Sequence, residues 1–263
     1  MSDPPPARIE RDGPLAVVVI DRPPLNLFGE PLVRALSDAF DDIAGSDARA
    51  LVIRAEGSVF TGGADVNEFK AIVAEGGGGE GDVFGVGLEM IHRLEALPIP
   101  TLSLVHALCL TAGLELSLGC DMIWAAESAR FGLVEAVVGL TPGWGGTQRL
   151  AERAGPARAR EFVMSARLYD AATLERWNVI NRVLPDGEVI EKGMRFARQL
   201  ANGPTRAHAA TKEIVAGVRD GGVGEADRRT PGQFGPLFAT DDLQRAVDSF
   251  LEHGPGQATF EGR

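Results

Sequence analysis

Cysteine is scarce in this 263-residue chain: Cys109 and Cys120 are the only two, both in apolar surroundings and without CxxC or Cys/His spacing. That pattern excludes a disulfide framework and a zinc site, so no metal is expected and both thiols read as small core residues. Positive charge is short as well, 26 Lys and Arg against 37 Asp and Glu, a net charge of −11. Nucleic-acid binding needs a basic footprint that this balance lacks. A small ligand carrying phosphate is still admissible, because a few local cations or backbone N–H groups suffice for it. An export signal is missing too: residues 1–8, MSDPPPAR, hold three prolines and no apolar run of the required length, so the expected compartment is the cytoplasm.

One stretch, residues 101–120, is apolar enough to raise the question of a membrane span, but His106, Gly113 and Glu115 interrupt it. A buried strand followed by a buried helix accounts for it better, and no membrane partner is expected. The rest of the composition is that of a globular protein, 44% hydrophobic and 24% charged.

The first two thirds alternate β-rich runs with helix-period segments, the form of an α/β architecture. Strands are expected at residues 16–20, 50–54, 101–105 and 122–125, with helices at 30–43 and 83–97. A run of four glycines within residues 75–82 (EGGGGEGD) reads as a surface loop, either a lid over a ligand or a loose tip. From Gly145 onward the pattern turns helical, with helices expected at 146–153, 157–164, 171–177, 189–201, 204–218 and 241–252. Residues 220–236, rich in glycine and charge, read as a linker before the last helix. The expected division is a core at residues 1–200 and a C-terminal helical region at 201–263.

Three segments carry possible chemistry. In FTGGAD, residues 60–65, paired glycines permit a tight turn and close backbone approach, and Asp65 is a good cap for a following helix. In LTAGLE, residues 110–115, Thr111 as a helix cap would leave the N–H of Ala112 unsatisfied at the positive end of the helix, a place suited to developing negative charge. Glu115 lies three residues on, on the same face and inside the apolar run LELSLGC. In FGLVE, residues 131–135, followed by GLTPGWGG at 139–146, Glu135 is a second acid in apolar surroundings. Taken singly, each glutamate is open to two readings, a structural buried acid or a catalytic one. Two acids in different environments are able to serve as base and acid around one substrate.

In this order and spacing, these segments resemble the crotonase family, also called the enoyl-CoA hydratase/isomerase superfamily. The resemblance begins at IDRPPLNL, residues 20–27, runs through FTGGAD, TAGLE with a Cys-Asp pair, ARFGLVE, GLTPGWGGTQRL and AATLERWNVINRVLP, and ends at FEGR, residues 260–263. It implies an α/β spiral of ββα units with a C-terminal helical trimerisation region, assembled as a homotrimer or dimer of trimers. It also implies an acyl-CoA thioester substrate, no separate cofactor because coenzyme A is part of that substrate, and an oxyanion hole made of the N–H groups of Ala64 and Ala112. Glu115 and Glu135 match the two glutamates of the hydratases, whereas isomerases often keep one acid. Coenzyme A contacts are implied near Asn26 and Leu27 and around Gly63, Ala64 and Asp65. Arg22, and more weakly Lys212, are candidates for its phosphates.

The chain departs from the family pattern at Thr111, Ala112 and Ala107, where glycines are common. An alanine still supplies its N–H, so the hole survives while the pocket narrows, which leaves substrate size open. Asn178 stands where a glycine usually ends a helix, a position asparagine tolerates. His106 reads as a surface or satisfied structural residue, and Trp144 as packing.

Overall fold

The structure, a computed structural model, describes residues 4–68, 70 and 83–263. The glycine-rich segment 75–82, with its lid-or-tip reading, lies outside the described residues. The main sheet has six strands: β1 (Ala7–Asp12), β2 (Leu15–Ile20), β3 (Ala50–Ala55), β4 (Thr101–Val105), β6 (Met122–Ala126) and β9 (Arg182–Leu184), in the spatial order β1-β2-β3-β4-β6-β9. β1 and β2 pair antiparallel, and every later pairing is parallel. All six residues of β2, LAVVVI, are buried. A strand covered on both faces has no polar side to alternate with, so a continuous β-branched run is the sequence form it takes.

β1 is an edge strand that hydrophobic patterning did not announce, because its residues alternate with charge. Arg8 and Glu10 pair along it at 3.0 Å, and Arg8 also reaches Asp21 at 2.9 Å. Charged edges discourage further strand addition. A second sheet is formed by β5 (Cys109–Leu110), β7 (Arg130–Gly132) and β8 (Tyr169–Asp170). These pieces of two or three residues are too short to show a period.

Helices α1 (Glu30–Ala44) and α2 (Val83–Ala96) pack against each other. The amphipathic pattern of α1 buries Leu32, Leu36, Phe40 and Ile43 together. Helix α3 (Thr111–Leu118) is buried from Ala112 through Leu118. A helix enclosed all round needs no polar face, which is why residues 101–120 read as one long apolar stretch. The remaining helices are α4 (Gly146–Ala154), α5 (Pro156–Ser165), α6 (Ala171–Arg176), α7 (Val189–Ala201), α8 (Thr205–Gly221), α9 (Val223–Phe234) and α10 (Asp241–His253).

Helix α9 corrects the expected linker at 220–236. Glu225 takes Arg228 and Arg229 at 2.6 and 3.1 Å, one turn away on the same face, and Arg229 also reaches Asp220 at 2.7 Å. Helix α9 is also packed closely on α8: a Cβ on Gly217 of α8 would lie 2.9 Å from the Cα of Ala226, so the two backbones touch. The C-terminal tail is fixed by Asp242, whose carboxylate accepts the N–H groups of Glu261 and Gly262, each at 2.8 Å. Arg49 joins this region to the sheet through Thr205 Oγ1, Gly203 O and Phe260 O.

Candidate active site

Three chain segments converge beside the carboxyl ends of the parallel strands. The turn after β3 is tied to β5 by a bridge between Thr61 and Cys109, with Thr61 N–H donating to Leu108 O and Leu110 N–H to Thr61 O. A second bridge, Phe28 to Ala64, ties the same turn to the segment before α1. Gly63 has φ +98, and a Cβ there would stand 2.3 Å from Thr111 Oγ1. Only glycine allows this approach. The N–H of Ala64 is thereby brought to the first turn of α3.

Asn26 is buried, with φ +50. Its amide nitrogen donates to the carbonyls of Glu56, Val59 and Phe60, and its Oδ1 accepts from Arg22 N–H at 2.7 Å. The side chain is therefore engaged inside the fold and shapes the loop that carries Leu27. Arg22 donates to Leu27 O at 2.6 Å and lies 3.8 Å from Asp65. Lys212 is held by Ile99 O and Asp121, both at 3.0 Å, on the strand β4 side of the fold. Those contacts account for its charge structurally. His106 Nε2 bonds Gly57 O at 3.0 Å, a tie between distant parts of the chain, while its Nδ1 is buried without a partner among the described residues, so the histidine is satisfied at one ring nitrogen only. Asn178 adopts φ +62, the left-handed conformation expected of it.

A cavity of about 130 Å³ opens among these segments. Ala64, Asp65, Ala112, Glu115 and Glu135 line it, while Arg22, Asn26, Leu27 and Gly63 do not. Its remaining surface is mostly apolar, including Phe28, Val137, Leu140 and Trp144. Trp144 is packed edge-on against Phe28, ring centroids 5.8 Å apart, so it both packs and forms wall.

Glu115 is 3% exposed, and its position is set by a feature that sequence reasoning missed. Its Oε1 accepts two backbone N–H bonds, from Trp144 and Gly146, each at 2.8 Å. Both donors belong to the turn that opens α4, where N–H groups lack helical partners. Gly146 must lack a side chain, since a Cβ would come within 2.8 Å of Glu115 Cγ. The turn is itself held by Arg149, which bonds the carbonyls of Trp144 and Gly145 and pairs with Glu95. The TPGWGG run was the available signal, although nothing in one sequence says which acid it serves.

Both carboxyls have affinities for protons far above the ordinary 4.5. Burial pushes Glu115 up to about 7, opposed by the two N–H bonds and reinforced by the negative charge of Glu135. Burial likewise pushes Glu135 up to about 7. Glu135 opens a short 3₁₀ turn, Glu135–Val138, and its Oε2 is buried without a donor among the described residues. A pair of neighbouring carboxyls that both titrate near neutrality tends to hold one proton between them. One member is then an acid and the other a base, at the pH where a cell works.

Ala112 occupies the first turn of α3, and its N–H donates to no group among the described residues. Thr111 differs from its expected role as the cap. Leu110 takes the cap position, and Thr111 is the first helical residue with φ +43. The N–H of Ala64 donates to Thr111 Oγ1 at 3.0 Å.

The Enoyl-CoA hydratase/isomerase family profile matches residues 10–263. The chain belongs to that family. It is 29% identical over 248 residues to the short-chain-enoyl-CoA hydratase of Clostridium acetobutylicum, covering 93% of this chain and 94% of the relative. It is also similar to the enoyl-CoA hydratase subunit I structure from Geobacillus kaustophilus, with a TM-score of 0.87 at 28% identity over 98% of both chains. An enoyl-CoA hydratase structure from Bacillus anthracis, at 23% identity, supports the fold alone, with a TM-score of 0.89 over 98% of this chain and 100% of that one. The fold is thus the crotonase spiral with a C-terminal helical region, as the motifs implied. Among the described residues no helix is long and apolar enough to cross a membrane.

Proposed function

We propose that this crotonase-family chain hydrates 2-enoyl-CoA thioesters, adding water to give the 3-hydroxyacyl-CoA. The observation that carries the reading is the pair Glu115 and Glu135 in one apolar cavity, both raised to about 7. The ionised carboxylate takes a proton from water as its oxygen bonds to the β-carbon. The protonated carboxyl gives its proton to the α-carbon on the same face, a syn addition. The two groups end with their protonation states exchanged, so the net change is one water added and no cofactor or metal is required. As the bond forms, negative charge moves onto the thioester oxygen, where fixed donors at Ala112 and beside the Ala64 turn are most effective.

The coenzyme A moiety would lie along the loop of Leu27 and the Gly63, Ala64, Asp65 turn, with Arg22 beside it and Asn26 holding the loop. The C-terminal helices leave Phe234, Phe238, Phe250 and Leu251 exposed by 55, 62, 59 and 77%. Apolar surface of that kind favours burial against a second copy, consistent with a homotrimer or a dimer of trimers.

The test is turnover of trans-2-enoyl-CoA thioesters of increasing chain length, followed by loss of the conjugated-thioester absorbance and by mass analysis of the product. Hydration at one or more chain lengths, lost in Glu115→Gln and Glu135→Gln, is the expected result. Migration of a 3-enoyl double bond without hydration would assign an isomerase instead. Tight acyl-CoA binding without turnover would make the chain a binding protein.

A further inference from the structure

The N–H of Ala64 is not free to meet a thioester, because its hydrogen is directed at Thr111 Oγ1, 3.0 Å away. Thr111 lines the cavity next to Ala112, and its hydroxyl proton is donated to no group among the described residues. A hydroxyl has one proton to give as well as lone pairs to accept. One that already accepts from an amide is polarised and becomes a better donor. A β-branched residue at φ +43 is also an uncommon arrangement, and strained backbone of this kind concentrates at functional sites. Gly63, with no Cβ, makes the room in which this hydroxyl sits.

We infer that the oxyanion hole of this chain is formed by the Thr111 hydroxyl together with the N–H of Ala112, while Ala64 N–H acts through that hydroxyl as a positioning group. The inference rests on the acyl-CoA reading given above and specifies which atoms grip the thioester. A carbonyl oxygen placed before Ala112 N–H receives Thr111 Oγ–H. The hydroxyl in turn receives Ala64 N–H, so charge developing on the substrate oxygen strengthens both bonds of the chain. No group is oxidised and no proton need leave the hydroxyl.

Three variants separate this arrangement from a structural threonine and from an obstructing one. Thr111→Val keeps the β-branched shape at the same φ, so its backbone strain matches that of the parent, and removes the hydroxyl while still covering Ala64 N–H. Thr111→Ser keeps the hydroxyl. Thr111→Gly relieves the strain and exposes Ala64 N–H directly. The readouts are kcat/KM for a short 2-enoyl-CoA and the isotope-edited infrared carbonyl frequency of bound butanoyl-CoA, a saturated thioester that cannot be hydrated.

Thr111→Val is expected to lower kcat/KM by about 100-fold, the scale for loss of one oxyanion donor, and to return the bound carbonyl toward its frequency in water. Thr111→Ser is expected to recover most of both, and Thr111→Gly to recover more than Thr111→Val because a backbone donor is uncovered. An unchanged carbonyl frequency and rate in Thr111→Val would overturn the assignment. A Thr111→Gly enzyme tenfold or more faster than the parent, with Thr111→Val no slower, would overturn it in favour of a hydroxyl that obstructs the hole. Parent protein that fails to bind butanoyl-CoA would overturn the acyl-CoA reading itself, and the assignment with it. Parent protein that binds it with a lowered carbonyl frequency but hydrates nothing would refute hydration and leave the assignment supported.

Discussion

Replacing Glu115 by glutamine is expected to make the protein more stable and nearly inactive at the same time. The amide would keep an oxygen for the N–H groups of Trp144 and Gly146, now each 2.8 Å from Glu115 Oε1, so the turn before α4 stays anchored. What disappears is the charge. The carboxyl keeps its proton up to about 7 in the folded chain, against an ordinary 4.5. Between those values the folded state binds more protons than the unfolded state, so stability falls as pH rises through that window, and the cost is fully present above it. At about 1.4 kcal/mol per tenfold, the burial of this charge costs about 3 kcal/mol above neutrality. The amide does not titrate and escapes that cost.

For a chain of this size about 3 kcal/mol corresponds to roughly 5–10 °C in melting temperature. Thermal unfolding of Glu115→Gln and parent at pH 5 and pH 8 measures it: a gain of that order at pH 8 and little at pH 5 is the expected result. Activity moves the opposite way, because loss of a general acid–base group costs about 10²–10⁴-fold in rate. A gain equal at both pH values, or a loss at both, would refute the argument that an ionised Glu115 is held at a cost. Retained hydration in the same variant would separately remove Glu115 from the chemistry.

The pH dependence of kcat/KM should be bell-shaped about neutrality, since below the window both carboxyls are protonated and above it both are ionised; Glu135→Gln should abolish one limb, measured from pH 5 to 9. Gly146→Ala should lower kcat more than tenfold with little effect on KM, because its Cβ would press on Glu115 Cγ at 2.8 Å and displace one carboxyl of the pair. Arg149→Met removes the partner of Glu95 and the ties to the carbonyls of Trp144 and Gly145; stability should fall by about 3 kcal/mol, read by urea denaturation, as for a buried ion pair deprived of one member.

What the sequence revealed of the fold follows from how each element meets solvent. β2 and β4 were legible as continuous apolar runs because both faces of a central parallel strand are covered. α1 was legible because one face is buried and the other is wet. β1 was not, because at the sheet edge it carries salt bridges in place of apolar alternation. α9 was misread for a related reason: its glycine and charge content imitates a linker, whereas the pairs of Glu225 with Arg228 and Arg229 and the seat of Ala226 against Gly217 of α8 hold it as a helix. Tertiary pairing, absent from a single line of letters, decides such cases.

The site divides the same way. That Ala64, Ala112, Glu115 and Glu135 face one cavity was implied by motif order, and the geometry places all four on its wall. The direction of each donor was not readable, since it depends on bridges between residues far apart in the chain, Thr61 with Cys109 and Phe28 with Ala64. Those bridges set Ala64 N–H on Thr111 Oγ1 and make a residue that looked like a helix cap into a lining group. Thr111 and Glu115 then share a logic. One holds an unfavourable backbone angle and the other a charge withdrawn from water, and each lies in the same short helix, buried from Ala112 to Leu118. A segment so enclosed has little freedom to relax either feature, which is how packing of α3 converts local instability into fixed direction. Mutations that loosen α3 without touching the cavity should therefore cost activity before they cost the fold.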